Sequence, residues 1–487
     1  MKFVDREKEM ARLQQLVKAD SPSFVIIRGR RRIGKSTLIG KVLGEKDIYY
    51  EADRTDPANQ MAGLSSMAAH VFPGFNDAVY KDWRALLVAI NHRVTERITL
   101  CLDEFPYLVE GSPSLPSIIQ GLLDSKTDKL KYNLILCGSS QQMMYNLTHD
   151  ESSPLYGRID ADFGMKAIAV NYLQEALDLD AQACIEHYAV WGGVPRYWKL
   201  AESSPTLRDA IWEHVLSDMG ALYEEPLRLF RDDMKDIVKT STIMSVIGSG
   251  TNRLSEIASR LGEPATNLSR PLAKLTDLGY LEKEVPFGES AKSSKKSLYR
   301  IADPFLHFYN KFVVPNKSFI QLRRDVPVKV AFQRDFPGHV GYWWEHICRD
   351  AVSGNVVDGI AYGMCRRWWG KITVMNEEGK PDSKAAIKRE QSDACIESAE
   401  RELARPQVKD IELDLVAESL DHTTILIGEC KWTTGENGRL LTNGINKIVP
   451  FLPFVNGKKV IIKLFTKVRP EEDQGNSLLP EDVLRLF

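Results

Sequence analysis

One octapeptide near the start of the chain restricts the fold more than any other stretch. Gly29-Arg30-Arg31-Arg32-Ile33-Gly34-Lys35-Ser36 fits G-x-x-x-x-G-K-[ST]. The apolar run Phe24-Val25-Ile26-Ile27 precedes it, and Thr37-Leu38-Ile39-Gly40-Lys41-Val42-Leu43 follows with apolar residues at helical spacing. The order is therefore strand, glycine-rich loop, helix. A loop of this kind turns backbone N–H groups inward around phosphates, and the helix N-terminus adds positive potential. Gly29, Gly34, Lys35, Ser36 and Thr37 are the expected contacts of a nucleoside triphosphate, taken as ATP. Lys35 would reach the β- and γ-phosphates, and the Ser36 hydroxyl would ligate Mg²⁺.

A second run agrees with the first. Ile98-Thr99-Leu100-Cys101-Leu102-Asp103-Glu104 ends an apolar stretch on two carboxylates. Buried parallel strands read as continuous apolar runs, and ligands gather at their carboxyl ends. Asp103 is thus expected beside the phosphate loop as a holder of Mg²⁺. Glu104 is placed to polarise a water against the γ-phosphate. Tyr132-Asn133-Leu134-Ile135-Leu136-Cys137 leads into Gly138-Ser139-Ser140, where the Ser139 hydroxyl could sense the γ-phosphate. Asp47–Glu51 supplies a further strand. Arg158, in the loop Ser152–Arg158, is a candidate arginine finger from the same subunit or a neighbour.

Composition bounds the rest. A chain of 487 residues predicts about two to four domains. Hydrophobic and charged contents of 43% and 27% are those of a globular protein. No apolar run is long enough to span a membrane, and the start lacks a signal segment. The seven cysteines form no C-x-x-C pair and the nine histidines show no metal spacing. These features predict a cytoplasmic protein with no membrane partner. The net charge of −2 argues against a uniformly basic nucleic-acid binder, while local basic patches stay open.

The chain divides by pattern into a P-loop ATPase core at 1–165, a helical lid at 166–231, a winged helix at 232–302, a linker at 303–335 and a C-terminal α/β domain at 336–487. Within the lid, Arg196 is a weaker nucleotide-sensing candidate. In the winged helix, Leu254–Leu261 and Ala265–Leu275 read as helices. Two strands, around Leu281 and Leu298, close the unit. Its second helix would offer Thr266, Asn267, Ser269, Arg270 and Lys274 to nucleic acid, and the wing loop Lys292, Lys295 and Lys296.

Beyond residue 335 the predicted order is helix, three strands, helix, strand. Alternation along Asp410–Ala417 puts Leu413, Leu415 and Ala417 on one face and Glu412 and Asp414 on the other. Glu429 and Lys431 share a face of the next strand. If the two strands pair, Asp414 and Glu429 can meet around one divalent ion, Mg²⁺ or Mn²⁺, with Lys431 alongside and Glu345 on the preceding helix. The charged segment 376–405 reads as an insertion without chemistry.

The chain resembles the archaeal-type P-loop ATPases, an AAA-related, STAND-like family. The resemblance rests on Gly29–Ser36, Glu51-Ala52-Asp53-Arg54, Leu102-Asp103-Glu104, Pro154–Arg158 and Gly192-Gly193-Val194-Pro195. The C-terminal part is similar to a domain of unknown function fused to these ATPases, itself similar to PD-(D/E)XK nucleases. That similarity rests on Trp344-Glu345, Arg367–Lys371, Glu412–Ala417 and Gly428–Trp432. It implies nucleotide-driven control of a nucleic-acid-processing activity. In that reading Glu345, Asp414, Glu429 and Lys431 cut phosphodiesters while Lys35, Ser36, Asp103 and Glu104 hydrolyse ATP. A nucleotide-switched regulator or scaffold that binds DNA or protein without cutting is the alternative. Sequence leaves a homo-oligomer or a protein partner open.

Overall fold

A computed structural model describes residues 1–234, 236–290, 294, 296–374 and 407–487. Five strands build the first sheet: β1 (Phe24–Arg28), β2 (Ile48–Glu51), β3 (Thr99–Asp103), β4 (Asn133–Gly138) and β5 (Ala161–Gly164). All pair in parallel, in the order β2-β3-β4-β1-β5. Every residue of β3 and β4 is buried, which is why their sequences are apolar without alternation. Val25 and Ile27 of β1 face a core shared with the lid, and Phe24 and Ile26 face the helices on the other side. Because β4 lies between β1 and β3, the ends of all three strands open onto one edge. The phosphate loop, Asp103-Glu104 and Ser139 all leave the sheet there.

The lid comprises Val170–Leu177, Ala181–Trp191, Pro195–Ala201, Leu207–His214 and Glu225–Asp233. Its side chains Trp191, Tyr197 and Trp198 are fully buried in the same core as Val25 and Ile27. The winged helix follows as Ile237–Gly248, Leu254–Leu261, Ala265–Asp277 and the antiparallel pair β6 (Leu281–Glu284) and β7 (Leu298–Ile301). Gly262, at φ +64°, ends the middle helix in a left-handed conformation open to glycine.

The predicted linker at 303–335 is instead almost entirely helical. Pro304–Phe308, Tyr309–Val313 and Lys317–Gln321 lead into one helix of 28 residues, Asp325–Val352. Phe305, Phe308, Phe312 and Phe332 are buried there, and the Phe332 and Phe336 rings stack at 4.7 Å. Burial of these rings holds the segment as packed core, and the boundary at 336 cuts through a continuous helix. The same hydrophobic cluster runs from Val25 of β1 to Phe465 near the C-terminus.

Two short strands, β8 (Val356–Val357) and β9 (Ile360–Ala361), form a hairpin. The second sheet contains β10 (Arg366–Val374), β11 (Gln407–Glu418), β12 (Thr424–Lys431), β13 (Lys459–Thr466) and β14 (Ser477–Leu478), in that order. The first two pairings are antiparallel and the last two parallel, with helix Gly438–Ile448 between β12 and β13. The charged segment 376–405 and the wing lysines Lys292 and Lys295 lie outside the described residues.

Alternation fails at one point on β11. Arg366 pairs with Val416 and Trp368 with Leu413, so Asp414 and Leu415 together stand opposite Arg367. This bulge reverses the faces. Leu413 packs with Val416, Ile425 and Ile427, whereas Leu415 and Ala417 join the main core. The single face expected for Leu413, Leu415 and Ala417 does not exist.

Candidate functional site

Two glycines shape the phosphate loop. Gly34 has φ +97°, and a Cβ on Gly29 would stand 2.7 Å from the Met165 carbonyl oxygen. The Lys35 ammonium, buried at 6% exposure, donates to the carbonyls of Gly29 (3.0 Å) and Arg30 (3.3 Å). Ser36 Oγ donates to Asp103 Oδ2 at 2.8 Å, and Thr37 lies beside it in the first turn of helix Lys35–Val42. Asp103 Oδ2 also accepts the Tyr49 hydroxyl at 2.5 Å, while Oδ1 accepts the Glu104 N–H at 2.8 Å. Burial pushes the Asp103 carboxyl up, but donation from Cys137, Tyr49, Ser36 and Glu104 outweighs it and holds the group below its ordinary value.

Glu104 sits at φ +51°, a left-handed conformation uncommon outside glycine. Its Oε2 accepts both the Ser139 N–H (3.2 Å) and the Ser139 hydroxyl (2.8 Å). The structure therefore brings Lys35, Ser36, Asp103, Glu104 and Ser139 to one edge. Ser36 and Asp103 suit Mg²⁺, an ion that takes one or two protein oxygens and completes its shell with water and phosphate.

Arg158 is a correction. Asp160 N–H donates to the Phe24 carbonyl at the start of β1, so Arg158 lies at the amino end of the sheet. The phosphate loop is at the other end, about 13 Å away along β1 alone. Arg158 pairs there with Asp124 at 2.8 Å. It does not reach the nucleotide cradle of its own chain.

The loop arginines had been given no role. Arg30 pairs with Asp303 and donates to the Tyr197 hydroxyl at 3.2 Å. Arg31 meets Asp232 at 3.3 Å and Arg32 meets Glu225 at 2.5 Å. All three point away from the loop interior, toward the lid and the segment after the wing. Three consecutive arginines between loop glycines were the available signal. An apolar recess of about 60 Å³ was also missed. Phe3, Val4, Ile33, Gly34, Thr37 and Pro195 line it beside the loop. Arg196 borders a separate polar cavity of about 340 Å³ with Arg32 and Arg228.

In the winged helix, Thr266, Asn267, Ser269 and Arg270 are exposed, as expected of a recognition face. Lys274 is not. Its ammonium donates to the Asp233 carbonyl at 2.8 Å, against the end of the lid. Asp233 in turn accepts the Gln141 N–H at 3.1 Å and the Tyr280 hydroxyl at 2.8 Å. The residue two places beyond Ser139 thus touches the hub that holds the recognition helix. Lys296 pairs with Glu289 at 2.7 Å, which reduces its availability. Glu282 and Glu284 of the wing reach the C-terminal domain at His346 (3.1 Å) and Arg367 (3.3 Å), and Glu284 also meets Arg300 of β7 at 2.8 Å.

The C-terminal residues also converge. Leu415 pairs with Gly428, which brings Asp414 and Glu429 side by side on neighbouring strands. Helix Asp325–Val352 packs across β11 and β12 and delivers Glu345. Burial, and then the nearby Asp414, push the carboxyls of Glu345 and Glu429 above their ordinary values. Cations and amides already serve these oxygens. Lys431 contacts Glu429 at 2.7 Å, Arg349 lies 3.6 Å from Glu345, and the Cys430 N–H donates to Asp414 at 2.9 Å. Among the described residues no three His, Cys, Asp or Glu side chains are gathered to hold a metal. Asp414 and Glu429, the residues expected to share an ion, stand together with neighbouring donors on their oxygens.

Three stretches of the chain match known protein families. Residues 3–200 match an ATPase domain predominantly from Archaea, and residues 237–285 an IclR helix-turn-helix domain. Residues 309–443 match archaeal and bacterial proteins of unknown function, a span that crosses the boundary drawn at 336. An uncharacterized protein of Methanocaldococcus jannaschii is 26% identical over 419 residues, 83% of this chain and 91% of that protein. A Walker-type ATPase of Pyrococcus abyssi superposes with a TM-score of 0.49 at 21% identity, covering 63% of this chain and 96% of the other. The ORC2 protein of Aeropyrum pernix gives 0.45 at 14%, covering 69% and 95%. No helix among the described residues is long and apolar enough to cross a membrane. Over residues 3–200 the chain is therefore similar to an ATPase domain predominantly from Archaea.

Proposed function

We propose that this protein binds and hydrolyses ATP, and that its nucleotide state controls a metal-dependent nuclease site in the C-terminal domain. The observation that carries the reading is the meeting of Lys35, the Ser36–Asp103 pair and the Glu104–Ser139 pair at one sheet edge. Adenine would enter the recess between Phe3 and Pro195. The Lys35 ammonium would exchange two loop carbonyls for phosphate oxygens, a stronger charge-assisted contact. The two Ser139 bonds on Oε2 would orient Glu104, whose carboxylate would accept a proton from water. Mg²⁺, bound with the nucleotide, would neutralise charge on the β- and γ-oxygens.

For the C-terminal site, the support is the clustering of Glu345, Asp414 and Glu429 with Lys431. Asp414 and Glu429 would hold Mg²⁺ or Mn²⁺, which would supply water activation there, and Lys431 would steady a developing negative charge. A second reading, a nucleotide-switched DNA- or protein-binding regulator, is favoured by a different observation: Glu429 and Glu345 are already paired with Lys431 and Arg349. Cleavage assays decide between them. Single- and double-stranded DNA and RNA would be tested with Mg²⁺ or Mn²⁺, with and without ATP. Cleavage in wild type and its loss in Lys431→Ala are expected. Intact ATPase activity with no cleavage on any substrate would leave the switch.

A further inference from the structure

We propose that Tyr49 is a positioning residue of the nucleotide site: its hydroxyl fixes the Asp103 carboxylate for the Mg²⁺ that arrives with ATP. The inference rests on the ATP reading above and deepens it. Tyr49 stands in the middle of β2, opposite Cys101 of β3, and Asp103 lies two residues further on beside Glu51. The long phenol spans that offset and places its O–H 2.5 Å from Asp103 Oδ2.

Packing explains the ring but not the hydroxyl. The ring lies against the core shared with the lid, where phenylalanine would fill the same space. The hydroxyl instead joins Ser36 on a single carboxylate oxygen, with Ser36 Oγ at 2.8 Å. The Glu104 amide holds the other oxygen at 2.8 Å. When the Ser36 oxygen turns a lone pair toward a cation, its proton must stay on Asp103 Oδ2. The direction of that oxygen is then set by Tyr49. Tyr50, the next residue, faces the opposite core and lies over Gly63. Groups that orient a metal-binding side chain typically carry about 10- to 100-fold in metal affinity.

The test uses the full chain and a non-hydrolysable ATP analogue. Nucleotide affinity is measured without metal, and Mn²⁺ affinity by electron paramagnetic resonance with the analogue bound. Tyr49→Phe is expected to leave metal-free nucleotide binding unchanged and to weaken Mn²⁺ binding about 10-fold. Saturating Mg²⁺ should return most of the ATPase rate, and Tyr50→Phe should change neither affinity. Wild-type Mn²⁺ affinity in Tyr49→Phe would reduce Tyr49 to a core residue while leaving the ATP reading intact. A wild-type protein that bound no nucleotide would overturn both.

Discussion

One oxygen of the Glu104 carboxylate is taken up by Ser139. It takes two hydrogen bonds there while the Glu104 backbone occupies a left-handed conformation. Such a conformation persists only where surrounding contacts impose it, and such residues cluster at functional sites. Glu104→Gln should therefore bind ATP like wild type and hydrolyse it about 100-fold more slowly, the usual loss when a general base is removed. Lys35→Ala should lose binding itself. Equilibrium nucleotide binding alongside phosphate release separates the two, and a Gln variant that hydrolysed normally would remove Glu104 from the mechanism. Lys35, Ser36, Asp103 and Glu104 were legible in the sequence because a phosphate loop needs set residue types at set spacing. The Ser139–Glu104 pair was not, because it joins residues 35 apart in sequence and depends on β4 lying beside β3.

At the scale of elements, the recognition helix Ala265–Asp277 presents one polar face and buries Leu268, Leu272 and Leu275. Arg270 is its exposed cation, since Lys274 is turned inward. If this face contacts nucleic acid, Arg270→Ala should weaken binding at all sequences and lower the salt slope by about one. Unchanged affinity and slope would assign the winged helix to packing alone. The wing glutamates Glu282 and Glu284 are engaged by His346, Arg300 and Arg367. On β11, period-two alternation described the apolar residues up to Leu413 and failed after it, because one extra residue cannot be seen without the partner strand.

Across the whole molecule, ion pairs from the phosphate loop reach elements about two hundred residues or more away. Arg30 with Asp303, Arg31 with Asp232 and Arg32 with Glu225 attach the loop to the lid and to the start of the aromatic helical segment. Asp303 also caps the helix Pro304–Phe308 by accepting the Leu306 N–H at 2.7 Å. Breaking a buried pair strands the remaining charge at a cost of about 3 kcal/mol or more. Arg30→Ala should lower stability to urea by that order, and an unchanged midpoint would show that the pair carries no load. From the same core, His339 of the 28-residue helix contacts the Ala189 carbonyl at 2.8 Å, just before the Gly192–Pro195 turn over Gly34. Glu345 lies on that same helix, so the nucleotide cradle and the C-terminal carboxylates share one continuous packed body.

The sequence alone determined the phosphate loop, the buried parallel strands, the helix-turn-helix and, apart from the short strands β8, β9 and β14, the order of the C-terminal strands and helices. Each is a local pattern of residue types, fixed by periodicity, glycine geometry or the end of an apolar run. Tertiary structure decided which of the marked residues meet. It set Arg158 at the far end of the sheet, turned Lys274 inward, joined 303–335 to the core and placed donors on Asp414, Glu429 and Glu345. Those outcomes depend on strand order, on a bulge and on charge partners distant in sequence, which no local pattern encodes.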